Sequence, residues 1–98
     1  MKVMIIMGSQ TDEAVMKEAQ TWLNWFGIEN EMIVASAHRN PDKVRELMVT
    51  AKEKGFGCVI AAAGMAAALP GVCAAYTSLP VLGVPLDGGL PGGIVALY

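Results

Sequence analysis

Short apolar runs alternate with longer amphipathic segments along this chain, which is the pattern of an α/β protein. Each apolar run predicts a strand buried on both faces of a sheet, because a strand with one solvated face alternates polar and apolar residues. Four such strands are predicted, at residues 3–7, 30–35, 58–62 and 81–84. The first run ends at Gly8, and the fourth is bounded by Pro80 and Pro85.

Apolar residues recur at helical spacing in the segment after the first strand. The predicted buried face of this helix consists of Val15, Ala19, Trp22, Leu23 and Phe26. Gly27 is predicted to end the helix. At its start, Ser9 and Asp12 have the spacing of a capping box, and Thr11 is an equally good cap.

A second helix follows the second strand. Asn40 as N-cap, with Pro41 at the first helical position, is a strong start signal. The predicted buried face of this helix consists of Val44, Leu47, Met48 and Ala51. Gly55 is predicted to end it.

A third helix is predicted in the alanine-rich segment 66–76, starting near Pro70 after a short approach loop. The order β-α-β-α-β-α-β with right-handed crossovers gives an open parallel sheet with helices on both faces. Ligands bind at the carboxyl ends of the strands in such sheets. Four turns are predicted at that edge, at residues 8–12, 36–42, 63–71 and 85–93. The sequence therefore predicts one site built from four loops.

The charged residues are concentrated in the first half of the chain. All seven Lys and Arg residues and eight of the nine Asp and Glu residues lie at or before Lys54, which leaves only Asp87 beyond it. Residues 55–86 are long enough to cross a bilayer, but glycines and prolines divide them into pieces too short for a spanning helix. The net charge of −2 provides no basic surface for nucleic acid or an anionic membrane.

Location, assembly and thiol chemistry are also constrained by the composition. The first apolar run is too short for a secretory signal, so we expect a cytoplasmic protein. The uncharged half would leave large apolar patches on a monomer of this size, so we expect a homo-oligomer. Cys58 falls on a predicted buried strand and Cys73 on the alanine-rich helix, so both are expected to be inert core thiols.

Candidate chemistry lies at the predicted carboxyl edge. Gly8 and Ser9 at a helix N-terminus present N–H groups and a hydroxyl that suit a phosphate; the alternative is that Ser9 and Asp12 only cap the helix. The segment matches neither a Walker loop nor GxGxxG. His38, the only histidine, is well placed for proton transfer, and Arg39 either binds a phosphate or carboxylate or is solvated. These residues predict a cofactor-free site for a small phosphorylated ligand, with His38 as the acid–base candidate.

Four ordered motifs are more specific than any one of them. They are Met-Gly-Ser-Gln-Thr-Asp at 7–12, Ser-Ala-His-Arg-Asn-Pro-Asp at 36–42, Leu-Pro-Gly at 69–71 and Leu-Pro-Val-Leu-Gly-Val-Pro at 79–85. Collinear and correctly spaced, they make the chain resemble the PurE family of purine biosynthesis. The resemblance implies a flavodoxin-like three-layer α/β/α fold with a parallel sheet. It also implies that residues 1–98 are a single PurE-like α/β domain, incomplete at the C-terminus and therefore the first part of a longer one.

An activity is implied by the same resemblance. The Ser-Ala-His-Arg form resembles the bacterial branch, N5-carboxyaminoimidazole ribonucleotide mutase, which moves a carboxylate from the exocyclic nitrogen to carbon 4 of the imidazole. By position, Ser9 and Arg39 would hold the ribonucleotide phosphate. Asp12 would bind the ribose, and His38 would move the proton at carbon 4. The remaining residues implied to line the substrate site are Ser36, Ala37, Gly64 and Leu69.

Cofactors and partners are implied as well. The family needs no metal, ATP or biotin, so no cofactor is expected. The expected partners are the aminoimidazole ribonucleotide, carbon dioxide and other copies of the chain, which the resemblance implies form an octamer. No nucleic acid or membrane partner is expected.

The segment before Leu-Pro-Gly departs from the family pattern. Ala68 stands where the family has a second histidine, and Ala62 and Met65 replace glycines. Three alternatives to the mutase therefore stay open. They are an aminoimidazole ribonucleotide carboxylase that uses carbon dioxide directly, a relative of the carboxylase that builds a nickel-pincer cofactor from a nicotinate nucleotide, and a non-catalytic truncated homologue.

Overall fold

Four parallel strands form a single sheet in the computed structural model, which describes residues 1–63 and 68–86. The strands are β1 (Lys2–Met7), β2 (Glu29–Val34), β3 (Phe56–Ala63) and β4 (Val81–Pro85). Their order across the sheet is β2-β1-β3-β4, and each neighbouring pair is parallel. This order is that of flavodoxin-like doubly wound sheets, so the predicted fold class is confirmed.

Three helices connect the strands and cover both faces of the sheet. They are α1 (Glu13–Trp25), which follows a 3-10 turn at Gln10–Asp12, α2 (Pro41–Thr50) and α3 (Ala68–Tyr76). α2 and α3 pack on one face, and α1 packs on the other, which gives the three predicted layers. No helix in the described ranges is long and apolar enough to cross a membrane.

β1 is the centre of the core. Its side chains alternate between the two faces: Met4 and Ile6 pack on the α2–α3 side, whereas Ile5 and Met7 pack on the α1 side. All four are buried. Because both faces are covered at residues 3–7, these five positions are all apolar, which explains the unbroken run in the sequence.

The predicted face of α2 is confirmed. Its buried residues are Val44, Met48 and Ala51, with the half-buried Leu47 packed beside them. Asn40 precedes the helix as expected, although its side chain makes no capping hydrogen bond. Gly27 after α1 and Gly55 after α2 adopt φ angles of 71° and 91°. L side chains rarely adopt such angles, which explains why glycines stand where these two segments end.

The predicted face of α1 is wrong at three of its five positions. Ala19 and Leu23 pack against the sheet, but the most buried residue of the helix is Met16, which is only 3% exposed. Val15, Trp22 and Phe26 are instead 58%, 58% and 69% exposed. α1 carries more apolar residues than one face can hold, and the stripe 16, 19, 23 faces the sheet. The helical spacing of the apolar residues did not show which of the two adjacent apolar stripes of α1 is buried.

The two adjacent residues Met16 and Val15 provide a direct test of this orientation. We expect Met16→Ala to lower the free energy of unfolding by about 2–5 kcal/mol, because it empties a buried site. Val15→Ala should change it by less than about 0.5 kcal/mol, as is usual for exposed positions. Urea unfolding followed by circular dichroism measures both. Equal losses in the two variants would show that α1 is rotated from the orientation described.

Candidate functional site

Two loops begin side by side at the carboxyl edge of the sheet. β1 ends at Met7 and β2 ends at Val34, and these two residues are paired in the parallel register. The backbone N–H of Ala35 donates a hydrogen bond of 2.8 Å to the Met7 carbonyl oxygen. This bond ties the start of the second loop to the end of the first strand. Loops 8–12 and 35–40 therefore leave the sheet next to each other.

Ser9 organises the first loop. Its Oγ accepts a hydrogen bond of 3.3 Å from the Thr11 backbone N–H and lies 2.9 Å from the Thr11 Oγ1. The Asp12 backbone N–H donates to the Ser9 carbonyl oxygen over 3.1 Å. Ser9 thus caps the 3-10 turn rather than α1 itself. Asp12 is the N-cap of α1, but its carboxylate makes no capping hydrogen bond.

Ser36 organises the second loop in the same way. Its Oγ accepts hydrogen bonds from the backbone N–H groups of His38 and Arg39, over 3.2 and 3.1 Å. The Asn40 backbone N–H donates to the Ser36 carbonyl oxygen over 2.9 Å. The backbone of His38 and Arg39 is therefore held in a turn, while both side chains are exposed at the start of α2.

A cleft of about 350 Å³ lies between these two loops. Its lining residues are Gly8, Ser9, Gln10, Val34, Ala35, Ser36, Arg39, Asn40 and Lys43. The cleft thus brings together three of the predicted site residues, Ser9, Ser36 and Arg39. It also adds Lys43, which the sequence analysis missed. The sequence could have indicated Lys43 through its position as the third residue of a helix that starts at the same edge of the sheet.

The other predicted site residues do not line this cleft. Asp12 and Ala37 are half-buried, and each lies within two residues of a cleft-lining residue along the chain. His38 is exposed. Leu69 is buried in the core on the α2–α3 side of the sheet. Gly64 lies outside the described residues, as do residues 87–93 of the predicted fourth loop. Three of the eight predicted site residues therefore line the described cleft.

The cleft is cationic although the chain has a net charge of −2. Arg39 and Lys43 both line it, and no Asp or Glu does. In the part of the chain that the structure describes, the one ion pair joins Lys2 to Glu31, over 3.5 Å and away from the cleft. Two cations beside two hydroxyls at a helix N-terminus suit a phosphate group.

Metal and thiol chemistry find little support in the described ranges. They contain no group of three or more His, Cys, Asp or Glu residues placed to hold a metal ion. Cys73 is buried in the core, and this burial raises the pKa of its thiol to about 11. A thiol with so high a pKa is protonated at neutral pH and is a poor nucleophile. Cys58 is half-buried on β3.

Fold and site together define a class: a doubly wound parallel α/β protein with a cationic cleft at the carboxyl edge of its sheet. The sequence model of the family described as AIR carboxylase matches residues 2–98, so the chain belongs to that family. The N5-carboxyaminoimidazole ribonucleotide mutase of Vibrio vulnificus is 53% identical over 98 residues, which are 100% of this chain and 61% of the relative. The mutase of Pyrococcus abyssi is 50% identical over 96 residues, which are 98% of this chain and 55% of the relative.

A solved structure supports the same fold. The crystal structure of Treponema denticola PurE superimposes with a TM-score of 0.81 at 24% sequence identity, covering 99% of this chain and 64% of that one. The expected resemblance to the PurE family is therefore confirmed. The chain spans about three fifths of the length of the mutase from Vibrio vulnificus.

Ser36→Ala tests whether the second loop depends on one hydroxyl. We expect a loss of about 0.5–1.5 kcal/mol in the free energy of unfolding, because two backbone N–H groups lose their acceptor. Ser36→Thr keeps an oxygen at the same place and should remain close to the starting protein. Urea unfolding compares the three chains, and an unchanged Ser36→Ala variant would show that the turn does not need this hydroxyl.

Proposed function

We propose that this chain carries the ribonucleotide site of an N5-carboxyaminoimidazole ribonucleotide mutase in purine biosynthesis. The observation that carries the proposal is the cationic cleft, which places Ser9, Ser36 and Arg39 together at the carboxyl edge. The names of its relatives from Vibrio vulnificus and Pyrococcus abyssi support it. A volume of about 350 Å³ lies at the lower end of the range for small-molecule sites, which suits part of a nucleotide.

Phosphate binding is assigned to Ser9 and Arg39. The Arg39 guanidinium offers a planar set of donors that matches phosphate oxygens, and the Ser9 hydroxyl has a proton to donate. Asp12, at the end of the same 3-10 turn, would bind the ribose hydroxyls. Its carboxylate makes no capping hydrogen bond with α1 that would compete with this role. Ser36, Ala37, Gly64 and Leu69 complete the proposed set of residues around the substrate.

His38 is proposed to move one proton through the reaction. Protonation of the exocyclic nitrogen breaks its bond to the carboxylate and releases carbon dioxide. Carbon 4 of the imidazole then forms a bond to the carbon dioxide and loses its own proton. His38 would first donate a proton to the exocyclic nitrogen and then accept the proton from carbon 4, so it ends in its starting state. The net reaction is therefore an isomerisation. An imidazole has two ring nitrogens, one of which can donate a proton while the other accepts one, and this suits both steps.

The carboxylase is the second candidate, because the family that matches the chain is described as AIR carboxylase. The two reactions share the ribonucleotide and the new bond at carbon 4, and they differ in the source of the carbon dioxide. Neither needs a cofactor in this proposal. A cytoplasmic location, without nucleic acid or membrane partners, is part of the same proposal.

Steady-state kinetics of the purified chain test these roles. We expect His38→Asn to lower kcat at least about 100-fold with little change in KM, because the proton transfer is lost. Arg39→Met should raise KM about tenfold or more, because a charge-assisted phosphate contact is lost. Arg45→Met is the matched control, since Arg45 is exposed on α2 but does not line the cleft.

The choice of substrate separates the candidates. Turnover of N5-carboxyaminoimidazole ribonucleotide identifies a mutase, and turnover of aminoimidazole ribonucleotide with carbon dioxide identifies a carboxylase. Equal activity of the starting chain and His38→Asn would remove His38 from the mechanism. Ribonucleotide binding without turnover would identify a non-catalytic homologue.

We also propose that the chain is a homo-oligomer, with the octamer implied by the family resemblance as the expected form. The outer face of α1 supports this, because Trp22, Trp25 and Phe26 are exposed there and form a broad apolar surface. Trp22 and Phe26 stack with ring centroids 6.4 Å apart, and Trp22 and Trp25 line a shallow cavity of about 280 Å³. Monomers rarely expose such surfaces.

Replacing Trp22 and Trp25 by glutamate should dissociate the assembly, because buried carboxylates without partners are costly. Sedimentation velocity should show a species larger than the 10.3 kDa monomer for the starting chain and a monomer for the double variant. Lys17→Glu, also exposed on α1, is the charge-changing control. A monomeric starting chain at micromolar concentration would contradict the proposal.

A further inference from the structure

Lys43 is a charged residue of the cleft to which the proposed function gives no role. It lies in the first turn of α2, and its Nζ donates a hydrogen bond of 3.1 Å to the carbonyl oxygen of Val34. Val34 is the last residue of β2, and it lines the cleft together with Ser9 and Arg39. The ammonium group is therefore held at the strand end from which the Ser36 turn departs.

Carboxylates do not neutralise this ammonium group within the described part of the chain. The one ion pair found there joins Lys2 to Glu31, and the residues that line the cleft include no Asp or Glu. An ammonium group has three N–H donors. The Val34 carbonyl takes one of them, which leaves two for a ligand in the cleft.

The position of Lys43 along its helix is electrostatically unfavourable for the helix alone. α2 begins at Pro41, so Lys43 is its third residue, next to the positive end of the helix dipole. A cation there does not stabilise the helix, but it adds to a potential that already attracts anions. The hydrogen bond to Val34 holds this exposed charge beside the cleft.

We propose that Lys43 is a second cationic contact for the phosphate group, alongside Arg39. The inference rests on the proposed function, because it assigns a further residue to the same phosphate site. A phosphate monoester carries a charge of about −1.5 to −2 at pH 7, of which one guanidinium balances only part. Lys43 supplies the second positive charge, so the site selects dianionic phosphate monoesters over singly charged anions.

Equilibrium binding of ribose 5-phosphate, measured by calorimetry, tests the role of Lys43. Lys43→Met should weaken binding about tenfold at low salt, and the difference should shrink at about 0.5 M salt, because exposed charge pairs are screened. Lys43→Arg keeps the charge and should bind within about threefold of the starting chain. Lys52→Met is the matched control, since Lys52 is exposed beyond the other end of α2 and should leave affinity unchanged.

The outcomes separate this inference from the proposed function. Unchanged affinity in Lys43→Met, together with weaker binding in Arg39→Met, overturns the role of Lys43 and leaves the phosphate site standing. Absence of ribose 5-phosphate binding by the starting chain overturns both. A loss that is independent of salt and not restored by Lys43→Arg shows that the residue only holds the Val34 strand end, and it overturns the inference. Thermal unfolding of each variant confirms that the compared chains are folded.

Discussion

The parallel pairing of β1 with β2 is the interaction on which the rest of the structure depends. β1 is buried on both faces, so its register against its neighbours is fixed: a shift by one residue would exchange the side chains that face α1 and α2. Met7 pairs with Val34 at the end of both strands, and the Ala35 N–H bonds to Met7. The position of the cleft is thus a consequence of core packing.

Hydroxyls and cations have different tasks in the cleft. Ser9 and Ser36 use their oxygens as acceptors for backbone N–H groups, which fixes the shape of both loops before a ligand arrives. Arg39 and Lys43 have no carboxylate partner in the described part of the chain. In the proposed function their charges therefore remain available to a ligand, and the hydrogen-bonded backbone beneath them lowers the ordering cost of binding.

The strands and the position of the cleft could be predicted from sequence, because burial on both faces and the carboxyl-edge rule leave few alternatives. The face of α1 could not, since Val15 and Met16 are both apolar and only the sheet decides between them. Ser9 and Arg39 were candidates because they lie in loops at that edge, and Ser36 was implied by the family resemblance; all three line the cleft. Lys43 was missed because its sequence context is that of a solvated helix residue, and its contact with Val34 exists only in three dimensions.

Low charge does not by itself show which segments of this chain are buried. In the uncharged second half, Leu69 and Cys73 of α3 are buried in the core, whereas Tyr76 and Leu82 are 45% and 55% exposed. The largest exposed apolar side chains of α1, such as Trp25 at 79% exposure, lie in the charged half, among lysines and glutamates. The exposed surface of α1 thus combines charged and apolar side chains, whereas α3 exposes Ala74, Ala75 and Tyr76 without any charge. For the proposed oligomer, exposed aromatic side chains are therefore a more specific guide to the interface than the absence of charge.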